Sequence, residues 1–538
     1  MFDEKPGRAV STTNSRIYEP SDFLCSEGYS TADACSTLIQ RFQLPVVTLL
    51  FLIAAVVADY YFRVYSFDGP PTVWPMIPFL GDTVQYLFKH THYVEHCRTA
   101  YGPIFRCMLG NRSMIVVCDY AGIQAILKDK TRSLSATVSS RDIVRAIGDV
   151  DSDIGPYLFD RLVPVAADIF SIQNLPAMLP TVNRVIWRHL ESIVKSGRSQ
   201  TTPLSSFVGE ILFSAVTIGV YGDNFPLSAL ADFEILDRDF VRLLIKVPFL
   251  AISARRSRSR LLKVIDSYVE SAGPSSGAGV LPEPATKLLN VLADLNISSA
   301  ERNGVLLLFT WGLHTSLIRT AFWMFAHILN NPDVMYRLRT EIDQALVNEF
   351  HSIDSLLDAP PGRLDGESFA LLNSLVKEAL RTTSVNTPVR EACEDMMITL
   401  SNGMTYPIRK GEYVAASIPA LHTGAGRYEN PLEFRDDRFI NKDDKKAPYL
   451  PWGGGDHICR GRFFSMHVLK MIAILAIHSL DLSVVSPLGS PLYTPFLEPR
   501  LTYMKLWQMR PKQSPHICVQ RRRGETWDQA TANSRNAP

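Results

Sequence analysis

The hydrophobic pattern changes character twice along the chain. From Phe42 to Ala58, seventeen residues pass without a charge (FQLPVVTLLFLIAAVVA), and Asp59-Tyr60-Tyr61-Phe62 extends the run to twenty-one. As a helix that is about 31 Å long, against a hydrocarbon core of ~30 Å. Tyr60 and Tyr61 fall where an aromatic belt sits, and Arg63 closes the run. A signal peptide fits badly, because a long polar segment precedes the run and no small-residue cleavage site follows it. The pattern predicts a membrane anchor over 42–63 behind a polar extension over 1–41. That extension holds four basic and six acidic residues and gives no orientation. Gly69 to Gly81 then carries four prolines, which exclude helix and predict a stiff hinge over 64–81.

Past the hinge the period is mostly helical. Apolar residues at helical spacing predict helices near 203–221, 226–249, 258–272, 286–296, 300–330, 333–349, 367–383 and 461–480. The strand-like pieces are short: Ser113–Cys118, Met397–Leu400 and Glu412–Ala416, the last two flanking the turn Ser401-Asn402-Gly403. Gly273 to Gly279 reads as a long surface loop inside one body, since helical patterning resumes on both sides. The predicted fold class is mainly α (α+β): one helix-rich catalytic domain over 82–510 with small peripheral sheets, then a tail over 511–538.

Composition narrows the function. Lys plus Arg is 55 and Asp plus Glu is 54, a near-neutral balance that gives no electrostatic footprint for nucleic acid. Mean hydropathy is +0.04, greasy for a soluble protein and far too apolar for a disordered one. The eight cysteines are scattered and form neither a disulfide framework nor a zinc site. Cys25 and Cys35 are close enough in sequence to pair if residues 1–41 are lumenal. An apolar ligand is expected.

The densest chemistry lies in Pro451-Trp452-Gly453-Gly454-Gly455-Asp456-His457-Ile458-Cys459-Arg460-Gly461-Arg462-Phe463-Phe464. Three glycines let a backbone pass close to something flat and bulky. A cysteine then meets the start of an apolar helix, where unpaired N–H groups and the helix dipole favour a thiolate. A lone thiolate so placed suits an axial ligand to haem iron. The alternative is a structural cysteine beside a glycine turn.

This string resembles the haem loop of the cytochromes P450, Phe-Gly-x-Gly-x-x-x-Cys-x-Gly. Trp452 replaces the Phe, while Gly453, Gly455, Cys459 and Gly461 fit. Three further segments follow in the family's order. Glu378-Ala379-Leu380-Arg381 matches its Glu-x-x-Arg helix, and Arg438 in Pro431 to Phe439 supplies the third member of a structural triad. Arg390 and His457 stand where the family contacts haem propionates. On the long apolar helix, Trp311-Gly312-Leu313-His314-Thr315-Ser316 resembles the distal motif small-Gly-x-acid-Thr-Thr/Ser, with Trp311 in the small position and His314 in the acid position. Trp311-Gly312 and Pro451-Trp452 are similar to the branch containing cholesterol 7α-hydroxylase and prostacyclin synthase. The family's Trp-x-x-x-Arg helix finds no good match, Arg184 being a poor one.

The resemblance implies haem b ligated by Cys459, and proton delivery by Thr315 with His314 as relay. It implies a pocket walled by Trp311, Leu313, Val385, Thr387 and Val389. The implied activity is a monooxygenase using O₂ on an apolar small molecule, steroid- or terpenoid-like, as in specialised-metabolite biosynthesis. No flavin or nicotinamide fingerprint occurs, so electrons are expected from a separate reductase, which the resemblance implies is NADPH-cytochrome P450 reductase of the endoplasmic reticulum. Arg460, Arg462, Lys442, Lys445 and Lys446 are candidates for its docking face. An isomerase or dehydratase working without O₂, or a non-catalytic haem protein, are the rivals. Val247 to Ile252 followed by Ala254-Arg255-Arg256-Ser257-Arg258-Ser259-Arg260 is either an apolar tip that dips into membrane lipid or a solvated helix start.

Overall fold

In a computed structural model of the chain, the described residues are 47–58, 69–74, 81–110, 112–129, 132–151, 158–244, 249–272, 281–350, 352–424, 426–440, 447–486, 504–505, 508–509 and 514–522. The chain divides into two units, Met1–Arg63 and Val64–Pro538. In the first, Val47–Ala58 is an apolar helix, α1, whose large side chains are exposed, Phe51 at 76%.

The second unit is built of helices, among them α2 (Thr137–Gly148), α3 (Leu204–Tyr221), α4 (Leu230–Leu244), α5 (Ile252–Ser271), α6 (Ser299–Leu329), α7 (Ala370–Thr383) and α8 (Arg462–Ser479). α6 is the axle. Its 31 residues start at a capping box, in which the Ser298 hydroxyl accepts from the Glu301 N–H and the Glu301 carboxylate accepts from the Ser298 N–H. It has apolar residues on nearly every side, so other elements must cover it, and α2, α3, α5 and α7 do. At its crossing with α2, a Cβ on Gly148 would lie 2.6 Å from the Gly304 carbonyl oxygen, so the two backbones touch. α3, α6 and α8 are each long and apolar enough to cross a membrane, yet all three are largely buried inside this body. Their apolarity serves the core.

The sheets are small. β1 (Ile104–Leu109) and β2 (Arg112–Val117) form a hairpin that runs on through β8 (Tyr413–Ala416) and β5 (Val389–Ala392) to β3 (Leu134–Ser135). β6 (Met396–Thr399) pairs with β7 (Thr405–Ile408) around Gly403, whose φ is +82°. The strand after the turn is therefore 405–408; the 412–416 segment instead joins β2 in parallel. β9 (Leu480–Val485), β12 (His516–Arg521) and β4 (Gln200–Pro203) make a third sheet with β12 in the centre. The body thus extends beyond residue 510, and 516–521 belongs to it rather than to a tail. Two-residue strands β10 (Met504–Lys505) and β11 (Gln508–Met509) pair with each other.

The proline-rich segment is not a free hinge where it is described. Val73 donates its N–H to the Arg106 carbonyl at 2.8 Å, and Arg106 donates to the Pro71 carbonyl at 2.8 Å. At the far end, a Cβ on Gly81 would stand 2.1 Å from the Met108 carbonyl oxygen. Both ends are zipped onto β1. The expected loop over 273–279, the cysteines Cys25 and Cys35, and Lys442, Lys445 and Lys446 lie outside the described residues.

Candidate active site

The cysteine loop is held by its own backbone. Gly453 donates its N–H to the Leu450 carbonyl at 3.0 Å, and Cys459 donates to the Trp452 carbonyl at 3.0 Å. Gly453 and Gly455 sit at φ +70° and +61°, a region that favours glycine. A Cβ on Gly455 would lie 1.7 Å from the Leu127 carbonyl oxygen, whereas one on Gly453 would meet no atom within 4 Å. The first glycine is needed for a backbone contact; the second borders open space. Gly461 precedes α8 and accepts the Ser465 N–H at 2.8 Å.

The Cys459 side chain is open on one side and enclosed by protein on the others. Burial pushes the thiol above its ordinary value, against the pull of the Gly461 N–H and the charges of Arg462 and Arg460. Position at a helix start therefore does not by itself make this sulfur a thiolate. A coordinated metal cation would.

α6 presents one open strip. Gly312 and Ser316 are exposed in the middle of this otherwise buried helix, flanked by half-buried Phe309 and Leu313. A Cβ on Gly312 would meet nothing within 4 Å. Phe170 bridges this strip to the cysteine loop: its ring stacks on Phe309 at 6.4 Å and packs against Phe464 at 5.3 Å. The strip therefore lies close to the first turn of α8, which follows the Cys459 loop.

The residues expected on that wall are turned from it. Thr315 is buried and donates its hydroxyl hydrogen to Asp237 on α4. Trp311 is buried too, its indole N–H donating to the same Asp237 oxygen at 3.1 Å and its ring packed on Phe240. Arg319 completes the cluster by donating to both Asp237 and Thr315. His314 is fully buried against α3, with Nε2 3.1 Å from the Thr217 hydroxyl and Nδ1 2.8 Å from the Thr310 carbonyl. Burial lowers its pKa to about 4, so it is neutral near pH 7. The helical register is one residue away from the expected one: the hydroxyl on the open strip is that of Ser316. A signal for this was in the sequence. Trp311, Thr315 and Arg319 recur every four residues, and an arginine in the apolar middle of the helix calls for a carboxylate opposite that stripe.

Of the other pocket candidates, Leu313 lies on the strip. Val385 is buried, Val389 is half-buried in the packing of the β1–β2 sheet, and the Thr387 hydroxyl is engaged by His90 Nε2 at 3.1 Å. Arg184 is spent in an exposed ion pair with Asp358 at 2.7 Å, on a different surface.

A buried cation waits for an anion beside the loop. Arg390 is buried, donates to the Val389 carbonyl at 2.9 Å, and pairs with no carboxylate among the described residues. Burial and then the Arg390 charge hold His457 below its ordinary pKa. A buried guanidinium without a counter-charge is costly unless something acidic meets it. An open sulfur, a glycine bordering open space and a buried arginine beside an imidazole fit a flat, metal-bearing group with carboxylate arms, which is haem.

Beneath the loop lies a closed ionic knot. Glu378, Arg381 and Arg438 are all fully buried. Arg381 forks onto Glu378 with two bonds of 2.7 Å, and Arg438 Nε donates to Glu378 Oε1 at 3.0 Å. Their remaining N–H groups donate to main-chain carbonyls, including Pro431 at 2.7 Å from Arg381 and Glu429 at 2.8 Å from Arg438. The Tyr428 ring covers both guanidinium groups. His422, whose carbonyl accepts from Arg381, receives the Leu450 N–H at 2.9 Å on its Nε2. The knot thus reaches the first residues of the cysteine loop.

The family model described as Cytochrome P450 matches residues 71–226 and 295–497. The chain belongs to the cytochrome P450 family. Cytochrome P450 7B1 of Mus musculus is 24% identical over 446 residues, covering 78% of this chain and 86% of the relative. The 7-alpha-hydroxycholest-4-en-3-one 12-alpha-hydroxylase of Homo sapiens is 25% identical, covering 80% and 89%. Prostacyclin synthase of Bos taurus is 23% identical, covering 78% and 88%. Among solved structures, retinoic acid-bound cyanobacterial CYP120A1 superposes with a TM-score of 0.65 at 20% identity, covering 85% of this chain and all of that one. This P450 is an oxidoreductase of the monooxygenase type, with haem b and a cysteine thiolate as its cofactor arrangement.

Proposed function

We propose that this P450 hydroxylates a steroid-like molecule at the endoplasmic reticulum membrane, taking electrons from NADPH-cytochrome P450 reductase. The observation that carries the substrate class is the run of relatives named for hydroxylation of cholestane and cholesterol derivatives. The open strip supports it: Phe309, Gly312 and Leu313 offer an apolar wall with Ser316 as one polar anchor.

When bound, the haem supplies O₂ activation: one oxygen atom enters a C–H bond and the other leaves as water. Cys459 holds the iron. Arg390 would pair with an acidic arm of the group, and the His457 imidazole beside it would offer a hydrogen bond there. Gly312 keeps the wall low enough for a rigid substrate to approach, and the Ser316 hydroxyl would hold and donate a proton at that wall. Thr315 and His314 take no proton-transfer role in this reading, since their polar atoms are engaged away from the strip. The Glu378–Arg381–Arg438 knot holds the loop. α1 anchors the chain.

A second reading, rearrangement of a peroxide without O₂ or reductase, draws on the similarity to prostacyclin synthase. Reconstitution decides between them. With reductase, NADPH and a panel of sterols, a hydroxylated product that requires both reductase and O₂ is expected. Turnover of an organic peroxide at full rate with no reductase present overturns the hydroxylase reading.

A further inference from the structure

The stretch between α7 and β5 leads to the buried Arg390 beside His457, yet little of its main chain is bonded. Ser384 closes α7 by donating its N–H to the Leu380 carbonyl at 3.0 Å, and the Pro388 carbonyl accepts from Ala416 at 2.9 Å. Between them, no main-chain hydrogen bond among the described residues holds Val385, Asn386 or Thr387. The polar tie of this stretch is a side chain. His90 Nε2 lies 3.1 Å from the Thr387 hydroxyl, across 297 residues of sequence, and both residues are buried.

His90 opens the helix His90–Tyr101, where the Tyr86 ring stands edge-on to its imidazole at 4.6 Å. Burial lowers its pKa to about 4, so near pH 7 the imidazole is neutral. Packing alone does not account for a histidine here, since an apolar ring would fill the same space without burying polar atoms. His314 bonds to α3 and α6, two helices that their own main-chain bonds already hold. The partner of His90 has no such support. Beyond it, the Pro388 ring locks φ, and the residue before a proline is confined to extended backbone. Thr387-Pro388 is thus a stiff lever, and the direction of the Thr387 side chain fixes where Val389 and Arg390 begin.

We propose that His90 is a positioning residue: through its hydrogen bond to Thr387 it sets the stretch 385–388 and thereby the seat of Arg390. The proposal rests on the reading of Arg390 as the partner of an acidic arm of the haem, and its test separates the two. His90→Phe, Thr387→Val and the double variant are compared with the wild-type holoenzyme in two measurements. Amide exchange of the peptide spanning 384–391 reports local opening, and haem transfer to apomyoglobin reports retention of the group. Each single variant should raise both rates by roughly three- to tenfold, the worth of one hydrogen bond. The double variant should be no worse than either single one, because both remove the same bond. His90→Gln, whose amide can reach Thr387, should recover most of the loss. Thr387→Val keeps the side-chain shape, so it reads the bond even where His90→Phe does not accumulate. Wild-type exchange and haem transfer in Thr387→Val overturn the proposal, and so do effects that multiply in the double variant. Arg390→Gln is the reference. Unchanged haem transfer in it would refute the arm-binding reading, while faster exchange in Thr387→Val would still uphold the tie to His90.

Discussion

The Thr315 hydroxyl donates to Asp237, on the same carboxylate oxygen that receives the Trp311 indole N–H and the Arg319 guanidinium. This gathers three side chains of one α6 stripe onto a single acid of α4. A hydroxyl bound in this way serves packing between helices, and the one on the open strip is free for chemistry. Thr315→Ala is therefore expected to lower stability by about 1.5–3 kcal/mol, the worth of a hydrogen bond to a charged group, with product coupling near wild type. Ser316→Ala should leave stability within about 0.5 kcal/mol and divert reducing equivalents to peroxide. Thermal unfolding and the ratio of product to NADPH consumed check both. The opposite pattern would put the helix one residue back in register.

That register is the clearest case of what the sequence left hidden. The length, placement and central position of α6 followed from its unbroken apolar run, and 299–329 matches the expected 300–330 closely. Which face points where did not follow from the apolar pattern, which runs nearly all round the helix; only the four-residue spacing of Trp311, Thr315 and Arg319 bore on it. The ionic knot was legible because Glu378 and Arg381 lie one turn apart on α7 and because the resemblance placed Arg438 with them. The Asp237 cluster was not. It joins residues 78 apart, and only the packing of α4 on α6 brings them together. The hairpin partner of β6 was missed for a simpler reason: 405–408 contains Pro407, which lowers its strand signal.

The buried knot should behave as a unit. Glu378→Ala leaves two buried guanidinium groups without a counter-charge, which costs on the order of 3–5 kcal/mol. The expected outcome is protein that accumulates poorly and retains little haem, read from the Soret absorbance per chain. Glu378→Asp, with the charge kept but the fork shortened, should fall between. A Glu378→Ala protein with normal haem content and unfolding midpoint would show that the knot is dispensable.

Acid should destabilise the fold through its histidines. Burial pushes His90, His314 and His467 down to about 4. In the unfolded chain each protonates near 6.5, so between pH 6.5 and 4 the unfolded state binds more protons. Stability is then lost as pH falls through that window, by at most about 1.4 kcal/mol per pH unit for each group. The unfolding midpoint should drop between pH 7.5 and 5, and His314→Gln should flatten the slope. A slope identical in the variant would mean His314 is already protonated when folded.

Removal of residues 1–63 tests the anchor. The truncated chain should still give the thiolate-type reduced-CO spectrum, and Cys459→Ser in the same background should abolish it. Co-sedimentation with neutral vesicles should fall sharply. Undiminished binding to them would take the anchoring role away from α1.

Gly455 sets a tolerance of a different kind. Its missing Cβ would sit 1.7 Å from the main-chain oxygen of Leu127, at the end of the helix Tyr120–Leu127. The obstacle is backbone, so no side-chain change at Leu127 can make room. The separation between the cysteine loop and a helix more than three hundred residues earlier is thus gauged by one absent carbon. An Ala at 455 has to push the loop bodily, carrying Cys459 with it. A library selected for rescue of Gly455→Ala should accordingly return insertions or deletions around 127–129, and no single compensating side chain.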